Sequence, residues 1–228
     1  EDVPECKWKD KGALPAKVFN GIQPEEKIVH IISYKELPEG KLYFYTKNGL
    51  IKCSEFSEYA VKKSRYAAIT LKAGDCLIGV EPVREGGSVL FISQKGMSLN
   101  MIKEDIPVTG RVSSGVKAMS LDDGDSIIFA SQCDGEGEII VWTEKGYAKR
   151  SLCVDYELSV RNRKGLKTFD FKKNGANGTC LVSALAVKEP FDMLCVHTTG
   201  EVEIINTESL FIEPRLSGGK PYVLGILG

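Results

Sequence analysis

The sequence predicts an all-β protein assembled from repeated four-stranded units, and three observations carry that prediction. A phrase of apolar run, polar turn and glycine recurs four times: Leu42-Tyr-Phe-Tyr-Thr-Lys-Asn-Gly49, Val89-Leu-Phe-Ile-Ser-Gln-Lys-Gly96, Ile139-Ile-Val-Trp-Thr-Glu-Lys-Gly146 and Met193-Leu-Cys-Val-His-Thr-Thr-Gly200. Its glycines lie 47, 50 and 54 residues apart, too long a period for a hairpin or a helical solenoid unit. Between the phrases stand short continuous apolar runs bounded by Gly, Pro or acidic loops, as in strands covered on both faces.

Taken in chain order, each unit opens with an apolar strand A. The four copies are Lys27-Ile-Val-His-Ile-Ile-Ser33, Cys76-Leu-Ile-Gly-Val80, Ser126-Ile-Ile-Phe-Ala130 and Thr179-Cys-Leu-Val-Ser-Ala-Leu-Ala-Val187. The recurring phrase is strand B, and its first copy carries Asn48-Gly49, a pair suited to the positive φ angles of a two-residue hairpin turn. Strand C follows the glycine, and strand D closes the unit at 66–71, 116–121, 166–171 and 222–227. One domain over 1–228 is expected, with approximate units 27–72, 73–122, 123–172 and 173–228 after a partial unit at 1–26. There, Gly12-Ala-Leu-Pro-Ala-Lys-Val-Phe-Asn20 reads as a D strand with no A, B or C strand before it. That phase favours a piece of a longer array over a ring closed by this strand, although closure would remove exposed sheet edges.

Composition narrows the class. With 43% hydrophobic and 27% charged residues the chain reads as a water-soluble domain, and no apolar run approaches a membrane span. The acidic start, Glu1-Asp-Val-Pro-Glu-Cys6, lacks the apolar segment of a signal peptide. Seven cysteines, none in Cys-x-x-Cys spacing and most inside apolar runs, read as small core residues of a reducing compartment.

A catalytic constellation is not evident. His30 and His197 sit in apolar strand sequence with no metal-ligating cluster beside them. The glycine-rich stretches Gly135-Glu-Gly-Glu138 and Lys173-Asn-Gly-Ala-Asn-Gly178 lack the strand-to-helix context of a phosphate loop. Asp75 and Asp125, each after a glycine and before a strand A, fit turn carboxylates that cap backbone amides.

Charge is segregated along the repeat, although formal net charge is −1. Stretches 60–66, 106–116, 158–167 and 214–222, which lead into strand D, contain no acid. Each carries an arginine at a near-constant distance from the turn glycine: Arg65, Arg111, Arg161 and Arg215 follow it by 16, 15, 15 and 15 residues. The A-to-B loops run the other way, with Glu36, Glu39, Glu81, Glu85, Asp134, Glu136, Glu138, Glu189 and Asp192. Equivalent loops of stacked units share a rim, so this pattern sets a basic stripe apart from an acidic one. A polyanion could follow such a stripe. Wrapping duplex DNA needs phosphate contacts and bendability without base readout, and is steeply salt-sensitive.

These residues also carry a family resemblance. The order Trp8-Lys-Asp-Lys-Gly12, Thr46-Lys-Asn-Gly-Leu-Ile-Lys52, Leu71-Lys-Ala-Gly-Asp75, Ile106-Pro-Val-Thr-Gly-Arg111 and Gly115-Val-Lys-Ala-Met-Ser-Leu-Asp-Asp-Gly-Asp125 resembles the C-terminal domain of the A subunit of bacterial type IIA topoisomerases, over essentially the whole chain. Glu58-Tyr-Ala-Val-Lys-Lys-Ser-Arg65 is most similar to the topoisomerase IV subunits of Gram-positive type, with gyrase subunits the second choice. The Gln-Arg-Arg-Gly-Gly-Lys-Gly box of gyrase is absent from these residues.

The resemblance implies a β-pinwheel: a propeller-like array of about four to five four-stranded blades that exchange strands and bend DNA around a basic rim. It implies a non-catalytic, monomeric domain without a cofactor of its own. Its parent would be a cytoplasmic, nucleoid-associated A2B2 topoisomerase. There the cleaving tyrosine and the Mg2+ site belong to the core, and ATP is hydrolysed by the B subunit. Matched position by position, the residues implied in DNA binding are Lys52, Lys149 and Arg150 on strand C, with Lys62, Lys63, Arg65, Arg111, Arg161, Arg163, Lys164, Lys167 and Arg215 in the loops that follow. Leu99 and Glu203 replace the strand-C lysine in the second and fourth units, so the rim is expected to be uneven. The competing reading is a propeller-type protein interaction module without a nucleic-acid role, in keeping with a pI near 6.3.

Overall fold

The computed structural model describes residues 4–19, 21–23, 25–63 and 65–223. Its strands in chain order are β1 (Lys41–Thr46), β2 (Leu50–Glu55), β3 (Leu77–Pro82), β4 (Ser88–Ser93), β5 (Met97–Ile102), β6 (Val116–Lys117), β7 (Ile127–Cys133) and β8 (Glu138–Thr143). They continue with β9 (Tyr147–Leu152), β10 (Leu158–Ser159), β11 (Leu166–Lys167), β12 (Leu181–Val187), β13 (Asp192–Val196), β14 (Val202–Asn206) and β15 (Lys220–Pro221). The all-β expectation holds, and each recurring phrase forms a hairpin: β1–β2, β4–β5, β8–β9 and β13–β14.

The turns differ from expectation. Three residues, 47–49, separate β1 from β2, and only Gly49 has positive φ, at 80°; Asn48 does not. Such a loop is a tight turn closed by one left-handed residue rather than a two-residue turn needing two. Gly96, Gly146 and Gly200 repeat that conformation at 76°, 75° and 88°. Thr46 Oγ1, Ser93 Oγ and Thr143 Oγ1 each accept from the amide four residues on, so the hydroxyl before each of these turns satisfies a donor the bend frees from the ladder. Asp75 and Asp125 cap amides as expected: Asp75 Oδ1 accepts from Asn48 N and Cys76 N, and Asp125 Oδ1 from Lys95 N and Ser126 N.

No sheet coincides with a chain-order unit. Strand β1 pairs with β3, and β2 with β6, so the first hairpin takes its flanking strands from the next unit. Likewise β4–β5 recruits β7 and β11, and β8–β9 recruits β12 and β15. This exchange explains two failed strand expectations. Segments 27–33 and 66–71 carry the A and D patterns of unit 27–72, but residues 1–26 hold no hairpin phrase for them to flank, and neither is a strand. Ile28, Val29 and Ile31 of the first are exposed, as is His30. The stretch expected as an opening D strand instead holds the short exposed helix α1 (Pro15–Val18), begun by a proline at the first helical positions; Asn20 lies outside the described residues.

The D strands are only two residues long for a recurring reason. After β6, Ala118 N and Met119 N converge on the carbonyl of Gly49; Thr168 N and Phe169 N do the same at Gly96, and Tyr222 N and Val223 N at Gly146. Two amides on one acceptor end the ladder. The last D strand, β15 (Lys220–Pro221), stands before the expected 222–227, of which Tyr222 and Val223 are not strand and 224–227 lie outside the described residues.

Successive sheets pack face to face. Tyr43, Tyr45 and Ile51 meet Val89, Phe91 and Leu99 across the first interface, with Tyr45 edge-on to Phe91 at 5.7 Å. Leu90 and Ile92 meet Ile139, Val141 and Phe169 across the second. Strand β3 lies against β7 and β7 against β12, so the sheets converge along their A strands and the short β6, β11 and β15 occupy the opposite edge. Three cysteines are buried (Cys53, Cys153, Cys195), whereas Cys6 and Cys76 are exposed and Cys133 and Cys180 half-buried, so the all-core expectation is only partly met.

Candidate nucleic-acid interface

Three of the four acid-free stretches, 106–116, 158–167 and 214–222, belong to a recurring loop beside strand C of the preceding unit's hairpin. Each runs parallel to that strand, bows away, and returns antiparallel as strand D. The parallel arm is Val108 beside Cys53, β10 beside Asn100 and Met101, and Ile212 beside Arg150. The bow between the arms carries the in-phase arginine, whose amide is held from the preceding unit in two copies: Arg111 N donates to Glu58 Oε2 at 3.0 Å and Arg161 N to Asp105 Oδ2 at 3.4 Å. The acids just upstream of the loops thus help to fix the bow.

Burial corrects the role expected of two lysines. Lys52 is 1% exposed and Lys149 is fully buried, so neither can reach a phosphate outside. Lys52 Nζ lies 4.9 Å from the Phe44 ring and donates to Tyr59 Oη at 3.0 Å, to the Ala68 carbonyl at 2.6 Å and to the Arg111 carbonyl. Lys149 Nζ donates to the Pro214 carbonyl at 2.9 Å and to that of Arg215, beside the Phe169 ring. Each ammonium therefore ties a strand to the bow that crosses it. Burial lowers both pKa values, to about 8 for Lys52 and about 7 for Lys149, while Glu58 and Glu213 respectively oppose the shift and Arg111 and Arg215 add to it.

Several arginines are also engaged within the fold. Arg150 pairs with Glu138 at 2.8 Å and donates to the Leu210 carbonyl at 2.8 Å, with its side chain 13% exposed. Arg111 donates to the Ala67 carbonyl and lies over Tyr66, and Arg215 donates to the Lys167 and Asp155 carbonyls. Arg65 is more open, although it pairs with Glu26 and donates to the Gly21 carbonyl. The strand-C cations, Arg111 and Arg215 are thus chiefly clamps between units, contrary to the contact role expected from the sequence.

Exposed cations remain at the same edge. Lys62, Lys63, Arg163, Lys164 and Lys167 are exposed, and Arg161 is half-buried. Lys164 pairs with Asp122 at 2.7 Å, an exposed contact that a competing phosphate can exchange. Lys117, missed in the sequence reading, is exposed on β6 at the place Lys167 holds on β11. The available signal was its spacing: Lys117 follows Gly96, and Lys167 follows Gly146, by 21 residues. His197 Nε2 lies 3.3 Å from Glu203 Oε2, and among the described residues no group of three or more His, Cys, Asp or Glu could hold a metal.

Residues 87–134 and 137–177 match the family described as "DNA gyrase C-terminal domain, beta-propeller". Over those residues the chain is similar to this family. It is 29% identical over 225 residues to the A subunit of DNA gyrase from Staphylococcus epidermidis, covering 96% of this chain and 24% of that protein. Against the A subunit of DNA gyrase from Mycolicibacterium smegmatis identity is 30% over 208 residues, 88% of this chain and 24% of the relative. The A subunit of DNA topoisomerase 4 from Bacillus subtilis is 26% identical over 222 residues, 95% of this chain and 27% of the relative. The chain therefore spans about a quarter of the length of the curated relatives it matches.

Solved structures agree on the fold. The C-terminal domain of DNA topoisomerase IV superposes with a TM-score of 0.89 at 22% identity, over 97% of this chain and 69% of that one. The DNA gyrase A C-terminal domain gives 0.75 at 22%, over 96% and 72%. The β-pinwheel expectation holds. No helix among the described residues is long and apolar enough to cross a membrane.

Proposed function

We propose that this chain is the DNA-binding and DNA-bending part of the A subunit of a type IIA topoisomerase. It guides or wraps duplex DNA along the sheet edge for ATP-dependent strand passage by the parent enzyme. The observation that carries the reading is the bowed loop, which returns in successive units at one edge and, with its D strand, displays Arg163, Lys164, Lys167 and Lys117, while Lys62 and Lys63 are exposed in the first acid-free stretch. The similarity to the gyrase C-terminal family points the same way. Phosphates are held by exposed cations and their counterions are released, so binding does not depend on base sequence and falls steeply with salt. The clamps Lys52, Lys149, Arg111 and Arg215 contribute by fixing the spacing of those loops. On this reading Mg2+ and ATP belong to the core and the B subunit, the parent is an A2B2 enzyme acting on cytoplasmic, nucleoid-associated DNA, and this domain is monomeric.

Fluorescence titration with labelled duplex DNA at several salt concentrations tests the reading. Each phosphate contact removed should lower the slope of log K against log salt by roughly 0.9. Arg163→Glu with Lys164→Glu should weaken binding by more than tenfold, whereas Lys220→Glu, whose ammonium lies 3.6 Å from the Phe211 ring, should change it little. Absence of binding at low salt would sink the proposal.

A further inference from the structure

The bow at 158–166 stands beside β5, and a cavity of about 490 Å³ lies on the β5 face that looks toward the third sheet, bounded by Ser98, Asn100, Tyr156, Arg163, Lys164 and Arg215.

Two features give this cavity a ligand chemistry. Three cations line it against one carboxylate, Glu157, and Arg163 and Lys164 are exposed. Arg215 uses Nε and Nη1 on carbonyls, while its guanidinium carries further N–H groups suited to phosphate oxygens. Among these cations stands an acceptor: Asn100 is 7% exposed, donates Nδ2 to the Tyr156 carbonyl at 2.8 Å, and leaves Oδ1 buried with no partner among the described residues. A buried acceptor without a donor is costly. The volume falls in the range of small-molecule sites.

We propose that this cleft binds a small phosphate monoester of the nucleotide class, its phosphate between Arg163, Lys164 and Arg215 and a hydroxyl or amino donor directed to Asn100 Oδ1. A phosphodiester of the DNA backbone has the charge but no such donor, which favours the small molecule. Because Arg163 and Lys164 also serve the DNA reading, a bound nucleotide competes with duplex there; the cleft itself does not depend on that reading.

Calorimetric titration of the whole chain with adenosine monophosphate, inorganic phosphate, adenosine and a short duplex tests the assignment. The monophosphate should bind saturably and about tenfold more tightly than phosphate or adenosine, a difference of about 1.4 kcal/mol. Arg163→Ala with Lys164→Ala, which removes two of the three cations that line the cavity, should abolish that binding. Asn100→Leu provides a second variant should that one misfold; it should lower monophosphate affinity to that of inorganic phosphate. Unchanged monophosphate binding in the double variant, or no preference over inorganic phosphate in the wild type, would overturn the site. If duplex binds and the monophosphate does not, the cleft assignment fails and the DNA reading stands; the converse result does the reverse.

Discussion

Replacing Lys149 with methionine should change how stability responds to pH. Burial pushes the pKa of this ammonium down from 10.5 to about 7, whereas in the unfolded chain the group titrates near its ordinary value. Between those two values the unfolded chain binds more protons than the folded one, so the stability contributed at this site rises with pH. Below about 7 both states are protonated and the contribution is flat; above about 10.5 both are neutral and it is flat again. Each pH unit inside the window corresponds to about 1.4 kcal/mol, and the full gap to ~5 kcal/mol.

Methionine keeps the length of the stem and removes the titration. It also leaves the Pro214 and Arg215 carbonyls without their donor, a cost that is constant with pH. Urea denaturation of wild type and Lys149→Met at pH of about 6.5, 8 and 9.5 should therefore show the stability of the wild type, relative to the variant, rising by ~2–3 kcal/mol across the series. Taking the difference cancels the tyrosines and cysteines, which titrate in both proteins. A flat difference would refute the reasoning: the ammonium would then stay charged throughout, its two carbonyl bonds fully offsetting burial.

Four further outcomes are expected, each measured by urea or thermal denaturation. Gly165 has φ of +78°, and a Cβ there would stand 2.1 Å from the Ser98 carbonyl oxygen, so Gly165→Ala should cost at least ~2 kcal/mol through strain and collision. Gly86→Ala, at φ +64° with open space around it, should cost only about 1 kcal/mol. Phe91 is fully buried at the interface between the first two sheets, and Phe91→Ala should cost about 3–5 kcal/mol. Asp125→Ala frees the amides of Lys95 and Ser126 and should cost about 1 kcal/mol, a loss that Asp125→Asn largely avoids.

The hairpins were legible in the sequence because their signals are local: an apolar run, a turn glycine and a second strand lie within about sixteen residues in each copy. The partners of those hairpins were not. Pairing β1 with β3 and β2 with β6 joins residues far apart in the chain, and the patterns at 27–33 and 66–71 are as strand-like as those that found a hairpin. Lysine chemistry misled in a different way. Lysine is rarely buried, which argues for Lys52 and Lys149 on the rim, yet each stands among apolar neighbours in a strand covered on both sides. An ammonium there has to find acceptors inside the protein.

The exchange of strands separates the repeat that is copied from the body that folds. A cut between units, at 72–73, leaves the hairpin β1–β2 without β3 and β6, while β4–β5 stays with β7 and β11 in the downstream piece. Neither piece then contains every complete sheet that its residues help to build in the intact chain. Adding or deleting a whole repeat, by contrast, preserves every pairing rule, because each hairpin accepts the flanking strands of whichever unit comes next. The array can therefore change length in steps of about fifty residues and turn the same edge outward each time. Dissecting it into separately expressed repeats should yield insoluble or unfolded pieces.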